Sequence, residues 1–232
     1  MDIHPPDYDK IERELWKKHG TEVKALLAGQ NEGLMRRIRT FCKNFEFSEE
    51  TVCQKIREDF MFACCFAKDA KKTGFEEKEA EKYLRMFPDI VQSFKVLPKS
   101  GKNAVYLNEN GMVITGKKPT GIKSIDFMWI AGNTPIRCLA AHKVTREKGG
   151  AQDHQRDELI RQLRSFQNCT ESDLALFVIC DGSYYTGQNL SRLLEHVRNE
   201  KPYSFAGPIG DVPRNVKTLI SKYNNNKGFD KS

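Results

Sequence analysis

The chain has 232 residues, 39% hydrophobic and 30% charged, with 38 Lys and Arg against 31 Asp and Glu for a net charge of +7. That apolar share is enough for a core and excludes wholesale disorder, and no apolar run approaches the ~18 residues needed to cross a bilayer. The positive surplus favours an anionic partner such as nucleic acid.

Residues 7–28 carry Ile11, Leu15, Val23, Leu26 and Leu27 at helical spacing, with charges between them. Acidic and basic residues alternate through the first eighteen positions, so no secretory segment is expected there. Ser48 predicts an N-cap for a helix running through Val52, Ile56, Phe60, Met61 and Cys64. A shorter amphipathic helix over residues 75–87 ends at Pro88. The seven cysteines include the adjacent pair Cys64-Cys65 but no Cys-x-x-Cys. Structural zinc is therefore not expected, and reduced thiols in a cytoplasmic protein are.

From residue 104 the period shortens. Residues 104–107 and 112–115 read as strands around Asn108-Glu-Asn-Gly111, a hairpin signal, followed by a basic loop holding Lys117 and Lys118. Two further strands are predicted over 124–130 and 136–145, a helix over 151–166, and a fully apolar strand over 174–180. A helix over 189–199, a strand over 203–206 and a helix over 212–223 close the pattern, with a polar tail at 224–232. The order gives one α/β domain over 1–232, mainly helical to about residue 90 with an α/β core at 104–223. Its mixed central β-sheet is flanked by helices, and the strands around 140 and 177 are parallel neighbours.

The chemistry concentrates in Lys123-Ser-Ile-Asp126-Phe-Met-Trp129 and Ile136-Arg-Cys-Leu-Ala-Ala-His-Lys143. Side chains alternate along a strand, so Arg137, Leu139, Ala141 and Lys143 share a face and His142 points away as a structural residue. An acid between Ile125 and Phe127 is costly in an apolar strand unless it is occupied. With Asp126 opposite that face, Asp126, position 141 and Lys143 converge. Phosphodiester hydrolysis uses such a cluster, in which acids hold a divalent cation and a lysine orients water and offsets charge.

In these residues the chain resembles the PD-(D/E)XK nuclease superfamily, and within it the type II restriction endonucleases. The matching segments are Ser-Ile-Asp126-Phe, the strand ending at Lys143, the Gly-rich turn through Gly149-Gly150 to Asp153, and Val178-Ile-Cys-Asp-Gly-Ser-Tyr-Tyr185. The resemblance covers roughly residues 120–187. It implies a restriction-endonuclease-like fold, a homodimer, a short double-stranded DNA site, Mg²⁺ as cofactor, Asp126 on the metal and Lys143 on the water.

The resemblance calls for Asp or Glu two residues before the lysine, where this chain has Ala141. Three explanations stay open: a natural acid replaced by substitution, an acid moved onto the next helix at Asp157 or Glu158, or a nuclease fold that only binds. Glu22 resembles the first-helix acid that some of these enzymes add, and also reads as an ordinary exposed helix residue. Expected DNA contacts are Arg146 and Lys148 in the basic turn, Gln152, Gln155 and Arg156 at the helix start, Tyr184 and Tyr185 after the apolar strand, and Lys117 and Lys118. The competing readings are a non-catalytic DNA-binding module and a repair or RNA nuclease.

Overall fold

The computed structural model describes residues 3–147 and 150–229. They fall into two units, one over Asp7–Lys78 and one over Glu79 onward that also takes in residues 3–6, so the division lies within helix α5 (Phe75–Arg85).

The first unit is helical. Its helices are α1 (Tyr8–Ala28), α2 (Glu32–Phe45), α3 (Glu49–Glu58) and α4 (Phe60–Cys65). Short polar side chains start them: Asp7 accepts from the Lys10 amide, Asn31 from Leu34 and Ser48 from Thr51. The single helix expected after Ser48 is split at Asp59. That residue is extended, and its carboxylate takes the Met61 and Phe62 amides to begin α4. Helix α2 was not foreseen, although Asn31 ahead of Leu34, Ile38 and Cys42 is an N-cap and an i, i+4, i+8 stripe. Val23, Leu27, Leu34, Ile38, Val52, Ile56 and Phe66 form the core of this unit. Gly20 lies inside α1, where a Cβ would stand 2.7 Å from the Phe60 ring, so its missing side chain admits α4.

The second unit is built on a five-stranded mixed sheet in the order β1-β4-β5-β6-β7. The strands are β1 (Val91–Val96), β4 (Phe127–Ala131), β5 (Arg137–Val144), β6 (Leu174–Asp181) and β7 (Tyr203–Gly207). β1, β4 and β5 pair antiparallel, while β5, β6 and β7 are parallel, as expected for the central pair. The hairpin of β2 (Val105–Leu107) and β3 (Val113–Thr115) forms a separate two-stranded sheet. β1, which was not foreseen, supplies the antiparallel edge of the main sheet instead.

Helices cover both faces. Phe127, Trp129, Cys138, Ala140 and Phe177 pack with Val212, Val216 and Leu219 of α8 (Val212–Phe229). On the other face Leu139, Ala141, Leu176 and Val178 pack with Leu159, Leu163 and Phe166 of α6 (Gly150–Gln167). Each such large side chain, once buried, stabilises by about 1.5–3 kcal/mol, which fixes the rotation of α6 over the sheet. A short helix, α7 (Gln188–Leu194), lies between β6 and β7 in the chain. No helix among the described residues is long and apolar enough to cross a membrane.

Candidate active site

The strand expected over 124–130 begins only at Phe127, and the late start places the acid. Ile125 gives its amide to the Val105 carbonyl, and Asp126 gives its own to Ala140, so the chain passes from β2 to β5 within two residues. Pairing between β4 and β5 runs only as far as Phe127 opposite Ala140. Beyond that point β4 offers the His142 amide no carbonyl, and Asp126 Oδ2 accepts it at 2.8 Å. Asp126 is buried, with 5% exposure. One carboxylate oxygen thus closes the end of the sheet, and the other is left for a further partner.

Alternation along β5 sends His142 and Lys143 to opposite faces, as the sequence implies. His142 sits beside the Phe127 ring, with Nε2 3.3 Å from Asp181 Oδ2 at the end of β6. Asp181 Oδ1 accepts from the Ile209 amide at 3.0 Å, so the buried pair ties three segments together. Lys143 lies half-buried on the face of Leu139 and Ala141.

Lys123 gathers the site. Burial pulls its ammonium down to about 7, against the support of Asp126. The neighbouring Lys143 pushes it further down, and Glu158 holds it up. Lys123, in the loop before β4, thus feels Asp126 just ahead of β4, Lys143 at the end of β5 and Glu158 on α6. Lys123 had no role in the sequence reading, although it stands three residues before the acid.

The phase of α6 separates the two candidate acids on that helix. Glu158 is half-buried and raises the Lys123 pKa through its charge, whereas Asp157 is exposed and accepts from Arg156 at 3.0 Å. Ala141 is fully buried in the apolar layer with Leu139, Leu159 and Val178. Among the described residues no group of three or more His, Cys, Asp or Glu side chains could hold a metal ion.

The expected DNA contacts divide. Lys117 and Lys118 are exposed on their loop. Gln152 is half-buried, and Gln155 accepts from the Thr145 hydroxyl at 3.1 Å. Arg146 is half-buried, and its carbonyl accepts from Ser183. Lys148 lies outside the described residues.

Three of the expected contacts are largely buried in the described structure. The Arg156 guanidinium donates to Asp153, Asp157, Tyr184 and Asn189. Tyr184 donates to Asp153 and is 3% exposed, and Tyr185 is 4% exposed beside Thr145. Burial pushes both phenols up to about 12; the Asp153 bond adds to the rise at Tyr184, and Thr145 opposes it at Tyr185. These side chains hold the strand ends and α6 together and leave little surface for a duplex. The turn after β6 depends on Gly182, whose φ is +95° and whose Cβ would stand 2.3 Å from the Thr145 carbonyl oxygen. Glu22 is exposed on α1 in the helical unit, 3.9 Å from Lys18.

No protein-family model matches the sequence, and neither does any curated protein. A crystal structure of protein VC1899 from Vibrio cholerae aligns with 96% of this chain at 10% identity and a TM-score of 0.32. The chain spans 57% of that protein's length, and likeness at that level marks no shared fold or activity.

Proposed function

We propose that the chain is a Mg²⁺-dependent endonuclease for double-stranded DNA, of the type II restriction kind, whose second acid comes from α6 instead of from position 141. The observation that carries this reading is that Asp126, Lys143 and Glu158 all act electrostatically on the same lysine, Lys123. The donors suit Mg²⁺, which binds through one or two carboxylates and completes its shell with water and phosphate oxygens. Asp126 offers the oxygen not used by the His142 amide, and Glu158 offers its carboxylate. Bound there, the cation would polarise the phosphoryl oxygen and lower the pKa of a water.

The chain's own residues do the rest. Lys143 faces the reacting phosphate from the end of β5 and offsets its growing negative charge. Lys123 keeps Asp126 and Glu158 facing inward. Lys117 and Lys118 grip backbone phosphates from the exposed loop, and two copies of the chain suit a palindromic site. A non-catalytic DNA-binding module is favoured by one observation, the buried methyl of Ala141.

Plasmid DNA incubated with Mg²⁺ separates the readings. The expected result is discrete fragments from the native chain, lost in Glu158→Gln and in Lys143→Ala. Cutting only after Ala141→Glu would return the second acid to β5. DNA binding without cutting by any of these proteins would leave the binding module.

A further inference from the structure

Beside the acid and lysine cluster, a cleft of about 320 Å³ opens between the chain before β4 and helix α6. Leu107 and Ile122 give it apolar walls, Lys123 and Glu158 belong to both cleft and cluster, and Arg161 and Gln162 line it from the helix. Gln162 is only 4% exposed. Its Nε2 donates to the Lys123 carbonyl at 3.3 Å, which assigns the two ends of the amide. Its Oε1 is buried with no hydrogen-bond partner. A buried carbonyl oxygen left in that state is unfavourable, so the position calls for an N–H from a ligand. Arg161 is exposed and makes no ion pair among the described residues.

A ligand that answers these features is flat, carries an N–H on its edge, has apolar faces and bears an anion for Arg161 and Lys123. A nucleotide has all four. The volume lies at the lower end of small-molecule pockets, roughly 300–1,000 Å³, and suits one nucleotide but no base pair. We propose that the cleft receives a single unstacked nucleotide of the DNA strand beside the scissile phosphate, with its base edge donating to Gln162 Oε1 and its phosphate on Arg161. The inference rests on the nuclease reading for the identity of the polymer. It adds that one nucleotide leaves the stack when the strand is bound, so that a duplex already open at that nucleotide binds more tightly. Every base has an N–H on its pairing edge, so the cleft selects for an unpaired base and not for its identity.

Metal-free binding tests this apart from cutting. Two labelled duplexes are compared in chelator, one fully paired and one with a single bulged 2-aminopurine. Unstacking takes a few kcal/mol that the bulge has already spent, so the bulged duplex binds at least about tenfold tighter and its 2-aminopurine fluorescence changes on binding. Arg161→Ala, a change at an exposed position, and Gln162→Leu each reduce that preference to within about twofold; thermal midpoints of the variants show that they are folded. Equal affinity for the two duplexes, or a preference that survives Arg161→Ala, overturns the cleft while leaving the nuclease reading intact. No binding to either duplex overturns both.

Discussion

Asp126 has two tasks that two substitutions separate. Its carboxylate accepts the His142 amide at 2.8 Å in a site only 5% exposed, where no strand carbonyl stands in. Removing an acceptor and leaving a buried N–H unpaired costs about 1–3 kcal/mol, and a bond to a charged acceptor belongs in the upper part of that range. Asp126→Ala is therefore expected to lose about 2–3 kcal/mol. Asp126→Asn keeps a carbonyl oxygen at the same place and loses about 1 kcal/mol, while both variants lose the Mg²⁺ response. Urea unfolding in a Trp16→Phe background leaves Trp129, buried in β4, to report on the sheet unit. With a slope near 2 kcal/mol per molar, the alanine variant unfolds about 1 M earlier and the asparagine variant about 0.5 M earlier. Equal losses in the two variants, or no loss in the alanine variant, would refute the amide-capping role.

Lys123 titrates near 7 when folded and near its ordinary value of 10.5 when unfolded. Below 7 both states hold the proton and the penalty is full; between 7 and 10.5 only the unfolded state holds it, so stability rises with pH. In chelator, unfolding curves of the native chain should show that rise between pH 7 and 9, and Lys123→Met should flatten it. Arg156→Ala removes a buried guanidinium and its hydrogen bonds while Asp153 and Asp157 stay solvated; a loss of about 1–2 kcal/mol is expected in denaturant titration, and an unchanged midpoint with weakened DNA binding would mark Arg156 as a DNA contact. Cys65 is exposed, whereas burial pushes Cys180 up to about 12 and Cys138 well above its ordinary value. Iodoacetamide at pH 8 should label Cys65 first and leave Cys138 and Cys180 untouched in the folded chain, as read by peptide mass mapping.

Where one strong local pattern dictates an element, sequence and structure coincide. The apolar run in β6, the alternation in β5 and the stripe of Leu159 and Leu163 in α6 left little choice, and they bring Asp126 near Lys143. β1 was missed because its Val-Gln-Ser-Phe-Lys-Val buries only Val91 and its pairing with β4 shifts register between Gln92 and Lys95. Arg156 reads as an exposed residue at the start of α6 because polarity is a local signal. Its burial depends on partners far along the chain, such as Asn189, 33 residues away. Lys123 shows the same limit, since a lone lysine in a loop gives no sign of the three charged groups that meet it. The choice between Asp157 and Glu158 comes from about 100° of helical rotation, which is set once the neighbouring Leu159 is packed against the sheet.

The same packing bears on Ala141. If an acid had been removed from position 141, the site would retain room and polar neighbours for it. Instead the methyl is fully buried in one apolar layer with Leu139, Leu159, Leu163 and Val178. Glutamate there adds volume to a packed layer and puts a carboxyl where burial disfavours its charge. Ala141→Glu is therefore expected to destabilise the sheet unit by about 2–4 kcal/mol, and to do so less as the pH falls toward the ordinary glutamate value of about 4.3, since burying the neutral carboxyl then demands less proton uptake. Mg²⁺ should not repair the loss if Glu158 is the second acid. Urea titrations of Ala141→Glu at pH 5 and pH 8, with and without Mg²⁺, decide the matter. A variant as stable as the native chain, or one that Mg²⁺ stabilises where it leaves the native chain unchanged, would mean that position 141 is the vacated ligand and that Glu158 is a bystander.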